Sequence, residues 1–96
     1  MEICYLDWRV TPFRADRFLD IWQPAAAKAM AYGAQRWALT RSTEDPLLIR
    51  QESAWKSRAD FESYWYSEEI SRVRTEIIDL YGKPILPVWH QLLATG

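Results

Sequence analysis

Residues 34–55, Ala-Gln-Arg-Trp-Ala-Leu-Thr-Arg-Ser-Thr-Glu-Asp-Pro-Leu-Leu-Ile-Arg-Gln-Glu-Ser-Ala-Trp, decide the fold. Residues 34–41 alternate in polarity, as a half-buried strand does. Ser42-Thr43-Glu44-Asp45-Pro46 is a cluster of turn formers. Residues 47–55 then read as a second strand, so the stretch is a hairpin. Its second strand has two phases: Leu47, Ile49, Gln51, Ser53 and Trp55 on one face, Leu48, Arg50, Glu52 and Ala54 on the other.

A helical stretch flanks the hairpin on each side. Within residues 14–32, Phe18, Trp22, Ala25, Ala29 and Tyr32 recur at the spacing of one helix face. Pro24 predicts a kink near Asp20–Ile21 or the start of a second short helix, and Gly33 predicts the stop. After the hairpin, Ser57-Arg58-Ala59-Asp60 has the form of a capping box with Asp in the last place, so Ser57 should open a helix. Phe61, Tyr64 and Trp65 make its apolar stripe. Ser67 offers a second cap, and Ile70, Val73, Ile77, Leu80 and Tyr81 continue with helical spacing to Gly82-Lys83-Pro84.

A strand lies beyond each helix. In residues 2–10, Cys4, Leu6, Trp8 and Val10 form an apolar phase and Ile3, Tyr5, Asp7 and Arg9 a mixed one. Residues 85–93 read as a last strand, placed at a sheet edge because Pro87 cannot donate a ladder bond. The order is βαββαβ, the ferredoxin-like arrangement of two helices on one face of a four-stranded antiparallel sheet. Residues 1–96 are therefore one α+β domain. Every strand carries apolar residues in both phases, so the uncovered sheet face is expected to be buried too, most simply by a second copy of the chain.

Composition narrows the function. Twelve Lys and Arg balance 13 Asp and Glu, and neither half is strongly charged. That excludes the basic footprint of a nucleic-acid binder and a polybasic membrane surface. No apolar run is long enough to span a bilayer. The single cysteine, Cys4, cannot close an intrachain disulfide, and a cytoplasmic location is the expectation. Metal-ligand spacings and a glycine-rich phosphate loop are missing, so neither a metal nor another cofactor is expected. The excess is in aromatics: six Trp and five Tyr.

Trp55-Lys56-Ser57-Arg58-Ala59-Asp60-Phe61, followed by Tyr64-Trp65 and Ser67-Glu68, resembles the strand end, turn and aromatic helix opening of antibiotic biosynthesis monooxygenase-like domains of the dimeric α+β barrel group. The element order extends the resemblance over nearly the whole chain. It implies a homodimer with two sheets face to face, and a sheet–helix pocket in each subunit for a planar hydrophobic or aromatic molecule. It also implies a cofactor-independent monooxygenase activity. Haem-degrading relatives place a histidine on the second helix, where Val73 falls here. Cofactor-independent oxygenases commonly use a pocket asparagine, and this chain has none.

Candidate site residues follow. His90, the only histidine, is the one side chain whose ordinary pKa lies near neutrality, so it is the candidate catalytic base; the competing reading is a half-exposed edge-strand histidine. Trp8, Trp22, Tyr64 and Trp65 are the candidate ligand-binding rings, against a plain packing role. Asp7, Arg9, Arg50 and Glu52 are expected together on one sheet face, as a polar binding cluster or as two cross-strand ion pairs that set dimer register. Two functions stay open: ligand binding with monooxygenase chemistry, and a non-catalytic ligand-binding or dimerisation domain.

Overall fold

A computed structural model describes all 96 residues. The strands are β1 (Glu2–Arg9), β2 (Arg36–Arg41), β3 (Leu48–Trp55) and β4 (Val88–Gln91); the helices are α1 (Ala15–Ala27), α2 (Arg58–Trp65) and α3 (Glu68–Glu76). The strands form one antiparallel sheet in the order β2-β3-β1-β4. The fold is the ferredoxin-like βαββαβ arrangement expected from the hairpin and its flanks. None of its helices is long and apolar enough to cross a membrane.

Register assigns the two faces. Cys4 pairs with Ser53, Leu6 with Gln51 and Trp8 with Ile49, and these residues face the helices. Tyr5 pairs with Glu52 and Asp7 with Arg50 on the uncovered face. The core lies between sheet and helices, where Cys4, Leu6, Trp8, Phe18, Trp22, Ile49, Trp55, Tyr64, Ile70 and Ile77 are shielded from water. Burial of this apolar area is the main stabilising term.

Local signals explain most element ends. The Ser57 hydroxyl accepts the Asp60 amide at 3.3 Å and opens α2; the Ser67 hydroxyl accepts the Ile70 amide at 3.3 Å and opens α3. Gly33 has φ 105°, a left-handed conformation that ends the first helical layer at low cost.

Two elements differ from expectation, and at Pro24 one of two expected alternatives, a second short helix starting there, is not taken. Helix α1 passes through Pro24 as a single helix and tightens to a 3-10 turn only at Lys28–Tyr32. Pro24 and Asp20, whose carbonyl is left without its amide partner, are both exposed residues. Helix α3 stops at Glu76 rather than near Tyr81. The following chain is drawn to the sheet instead: Leu80 O accepts the Thr11 amide at 2.9 Å, and the Gly82 amide donates to Arg9 O at 3.0 Å. Strand β4 has four residues, because Pro84 and Pro87 cannot donate ladder bonds before it.

The uncovered face is more polar than expected. Arg50 holds Asp7 in a two-pronged pair (2.8 and 3.1 Å) and stacks over the Tyr5 ring at 4.8 Å. The other two charges of the expected quartet do not pair with each other. Arg9 reaches Asp45 in the hairpin turn at 2.7 Å, and Glu52 takes Arg36 of β2 at 3.1 Å.

Candidate functional site between α1 and β2

Trp37, Leu39 and Arg41 stand at alternate positions of β2, on the side facing the helices. Leu19 and Gln23, one turn apart on α1, stand opposite them. With Ile49 of β3 below, these residues line an open groove of about 520 Å³. A neighbouring hollow of about 350 Å³ adds Asp20, Pro24 and Ala27 on the α1 side. Both openings lie beside β2, an edge strand, so nothing in the sheet closes them. The volume is within the range of small-molecule pockets.

The floor is rigid. Ile49 pairs with Trp8 and Leu39 with Gln51. The Trp22 indole N–H donates to Gln51 Oε1 at 2.7 Å, Gln51 Nε2 donates to the Tyr64 hydroxyl at 3.4 Å, and that hydroxyl donates to Ala25 O at 2.8 Å. Every buried side-chain polar atom has a partner. Burial pushes the Tyr64 hydroxyl up to about 12, although its hydrogen bond with Gln51 works the other way.

Three of the four candidate rings touch one another behind this floor, and Tyr64 is linked to Trp22 through Gln51. Trp8 and Trp22 lie 5.1 Å apart between ring centres, and Trp22 and Trp65 5.9 Å. Tyr64 lies against Trp55 at 5.8 Å. All four are 4% exposed or less, and their rings fill the space among them. The open space is beside them, at the α1–β2 edge.

His90 sits elsewhere. It is exposed on β4, paired with Ile3 on the uncovered face, and its ring meets the edge of Tyr5 at 5.1 Å. Two strands separate β4 from β2, and the sheet itself lies between His90 and the groove. His90 therefore does not reach the groove of its own chain. Cys4 faces the core, and burial pushes its thiol up to about 12 against the opposing field of Arg58. A thiol so rarely ionised is a poor nucleophile. No three His, Cys, Asp or Glu side chains gather as a metal-binding set.

Sequence reasoning passed over Leu19, Gln23, Leu39 and Arg41. The available signal was the phase Trp37-Leu39-Arg41 on a strand, facing a Leu19–Gln23 pair outside the main stripe of α1.

Fold and groove together define a ferredoxin-like α+β domain with an open sheet–helix cleft. No protein-family profile and no curated protein matches the chain. Solved structures do. A provisionally named antibiotic biosynthesis monooxygenase from Nitrosomonas europaea is 18% identical, with a TM-score of 0.88 over 98% of this chain and 100% of its own. A structure described as an antibiotic biosynthesis monooxygenase is 16% identical, with a TM-score of 0.86 over 98% and 100%. Rv0793 from Mycobacterium tuberculosis is 13% identical, with a TM-score of 0.84 over 98% and 96%. At these identities the likeness is one of fold, shared along nearly the whole chain.

Proposed function

We propose that this chain is a cytoplasmic homodimer subunit that binds a planar hydrophobic small molecule in the α1–β2 groove. The observation that carries the reading is the groove itself, an open cleft with an apolar floor backed by a close-packed aromatic layer. A ring laid between Leu19 and Leu39 would stack beside half-buried Trp37. Trp8, Trp22, Tyr64 and Trp65 act in this reading as the stiff wall behind the ligand. Second copies meet through the uncovered sheet face, where half-buried Tyr5 and exposed Val88, paired across β1 and β4, make an apolar patch beside the Asp7–Arg50 ion pair.

Monooxygenase chemistry is a second reading, favoured by the names of the similarly folded structures. His90 could then serve as base only from outside its own subunit's groove. The test is a titration of naphthol and anthrone-type compounds followed by tryptophan fluorescence and oxygen uptake. Saturable quenching that is lost in Leu39→Glu supports groove binding, and oxygen uptake lost in the same variant supports the monooxygenase. Compounds that quench Leu39→Glu as well as the wild type would overturn the groove assignment.

A further inference from the structure

Four arginines stand on the strands: Arg9, Arg36, Arg41 and Arg50. Three are neutralised within the chain, by Asp45 at 2.7 Å, Glu52 at 3.1 Å and Asp7 at 2.8 Å. Arg41 has no ion pair and no side-chain hydrogen bond, and it alone lines the groove. Resting on the groove-binding reading above, we propose that the groove takes a planar aromatic acid, with Arg41 holding the carboxylate.

Geometry and charge select this class. A guanidinium offers a planar fork of donors that matches a carboxylate with two parallel hydrogen bonds. Trp37 and Arg41 are four strand positions apart, roughly 13 Å at the usual rise per residue. That span suits two fused rings bearing an acid group. Asp20 lies toward the other end, beside Pro24 and Trp37, and repels an anion there. The two charges therefore orient an acid in one direction, carboxylate toward Arg41. The unbonded Gln23 carboxamide on the α1 wall is free to take a ring hydroxyl or carbonyl.

Binding of 2-naphthoate and of its uncharged isostere 2-naphthamide should be compared by calorimetry in wild type, Arg41→Gln and Leu39→Glu. Circular dichroism checks folding; Arg41 is exposed, so its variant should fold. The expected result is naphthoate binding about tenfold tighter than naphthamide, for a charge-assisted bond partly open to solvent. Arg41→Gln should erase that preference by weakening naphthoate about tenfold, and raised salt should shrink the preference in the wild type. Equal binding of both compounds, lost together in Leu39→Glu, would overturn the role of Arg41 and leave the groove standing. Binding of neither compound would overturn groove and acid together. Naphthoate affinity that falls as protein rises from micromolar to near-millimolar would show a second copy filling the groove, and would also overturn the proposal.

Discussion

Gln51 is fully buried between two aromatic rings, and its carboxamide is matched on both sides. Gln51→Leu removes the acceptor of the Trp22 indole and leaves a buried N–H without a partner. The expected loss is about 1–3 kcal/mol by urea unfolding, and Trp22→Phe in the same chain should recover part of it because no donor is then stranded. Tyr64 and Cys4 make a second expectation, on pH. Their folded pKa values are raised from 10.0 and 9.0 to about 12 by burial. The unfolded chain therefore loses these protons first, so their stabilising effect is complete below pH 9 and disappears as pH rises toward 12. Melting temperature should fall over that window, and Cys4→Ala should flatten the lower part of the fall; an unchanged slope would show that the thiol does not contribute. Gln51 also shows where the site was hidden from sequence reading. Its phase, with Ile49 and Trp55, was legible, yet a glutamine and a serine in that phase look solvated. Only contact with Trp22, 29 positions away, makes Gln51 a core residue.

At the scale of elements, the two serine caps are separable tests. Ser57→Ala and Ser67→Ala should each cost about 1 kcal/mol, read by thermal or urea unfolding, because each leaves a first-turn amide without its side-chain acceptor. Gly33→Ala should cost more than either cap. A Cβ there would take a left-handed backbone, and it would come within 3.3 Å of the Asp60 carboxylate. These caps and this stop were readable, as were the hairpin at 34–55 and the order βαββαβ, because each rests on residues close together in the chain. The end of α3 was not. Ile77 and Leu80 keep helical spacing and stay buried, so the pattern gives no sign of a stop. What ends the helix is backbone pairing of Leu80 and Gly82 with Thr11 and Arg9, about seventy residues earlier in the chain. The groove was hidden for a similar reason, since α1 and β2 meet there only after the sheet has been assembled.

For the whole molecule, the proposed homodimer would meet through the uncovered sheet face. Asp7 and Arg50 are both over 40% exposed in the single subunit, where such a pair contributes little. Within a sheet-to-sheet dimer the same pair would be desolvated, and losing one partner would strand the other charge. Arg50→Leu is therefore expected to leave the subunit's unfolding free energy within about 1 kcal/mol while weakening self-association at least roughly tenfold. Sedimentation velocity across micromolar concentrations reads this directly, and an unchanged dimer in the variant would remove the pair from the interface. The sheet order has one more consequence. Strand β1 is the earliest strand in the chain yet takes an inner place, and both of its neighbours come much later: Cys4 waits for Ser53 on one side and Trp89 on the other. During synthesis its backbone stays open on both edges until the hairpin has emerged, and on one edge until Val88–Gln91 has followed. Such distant pairing slows folding toward the millisecond-to-second range and exposes an adhesive strand to other nascent chains. A ribosome-arrested chain ending before Val88 should accordingly bind trigger-type chaperones more tightly than the released protein.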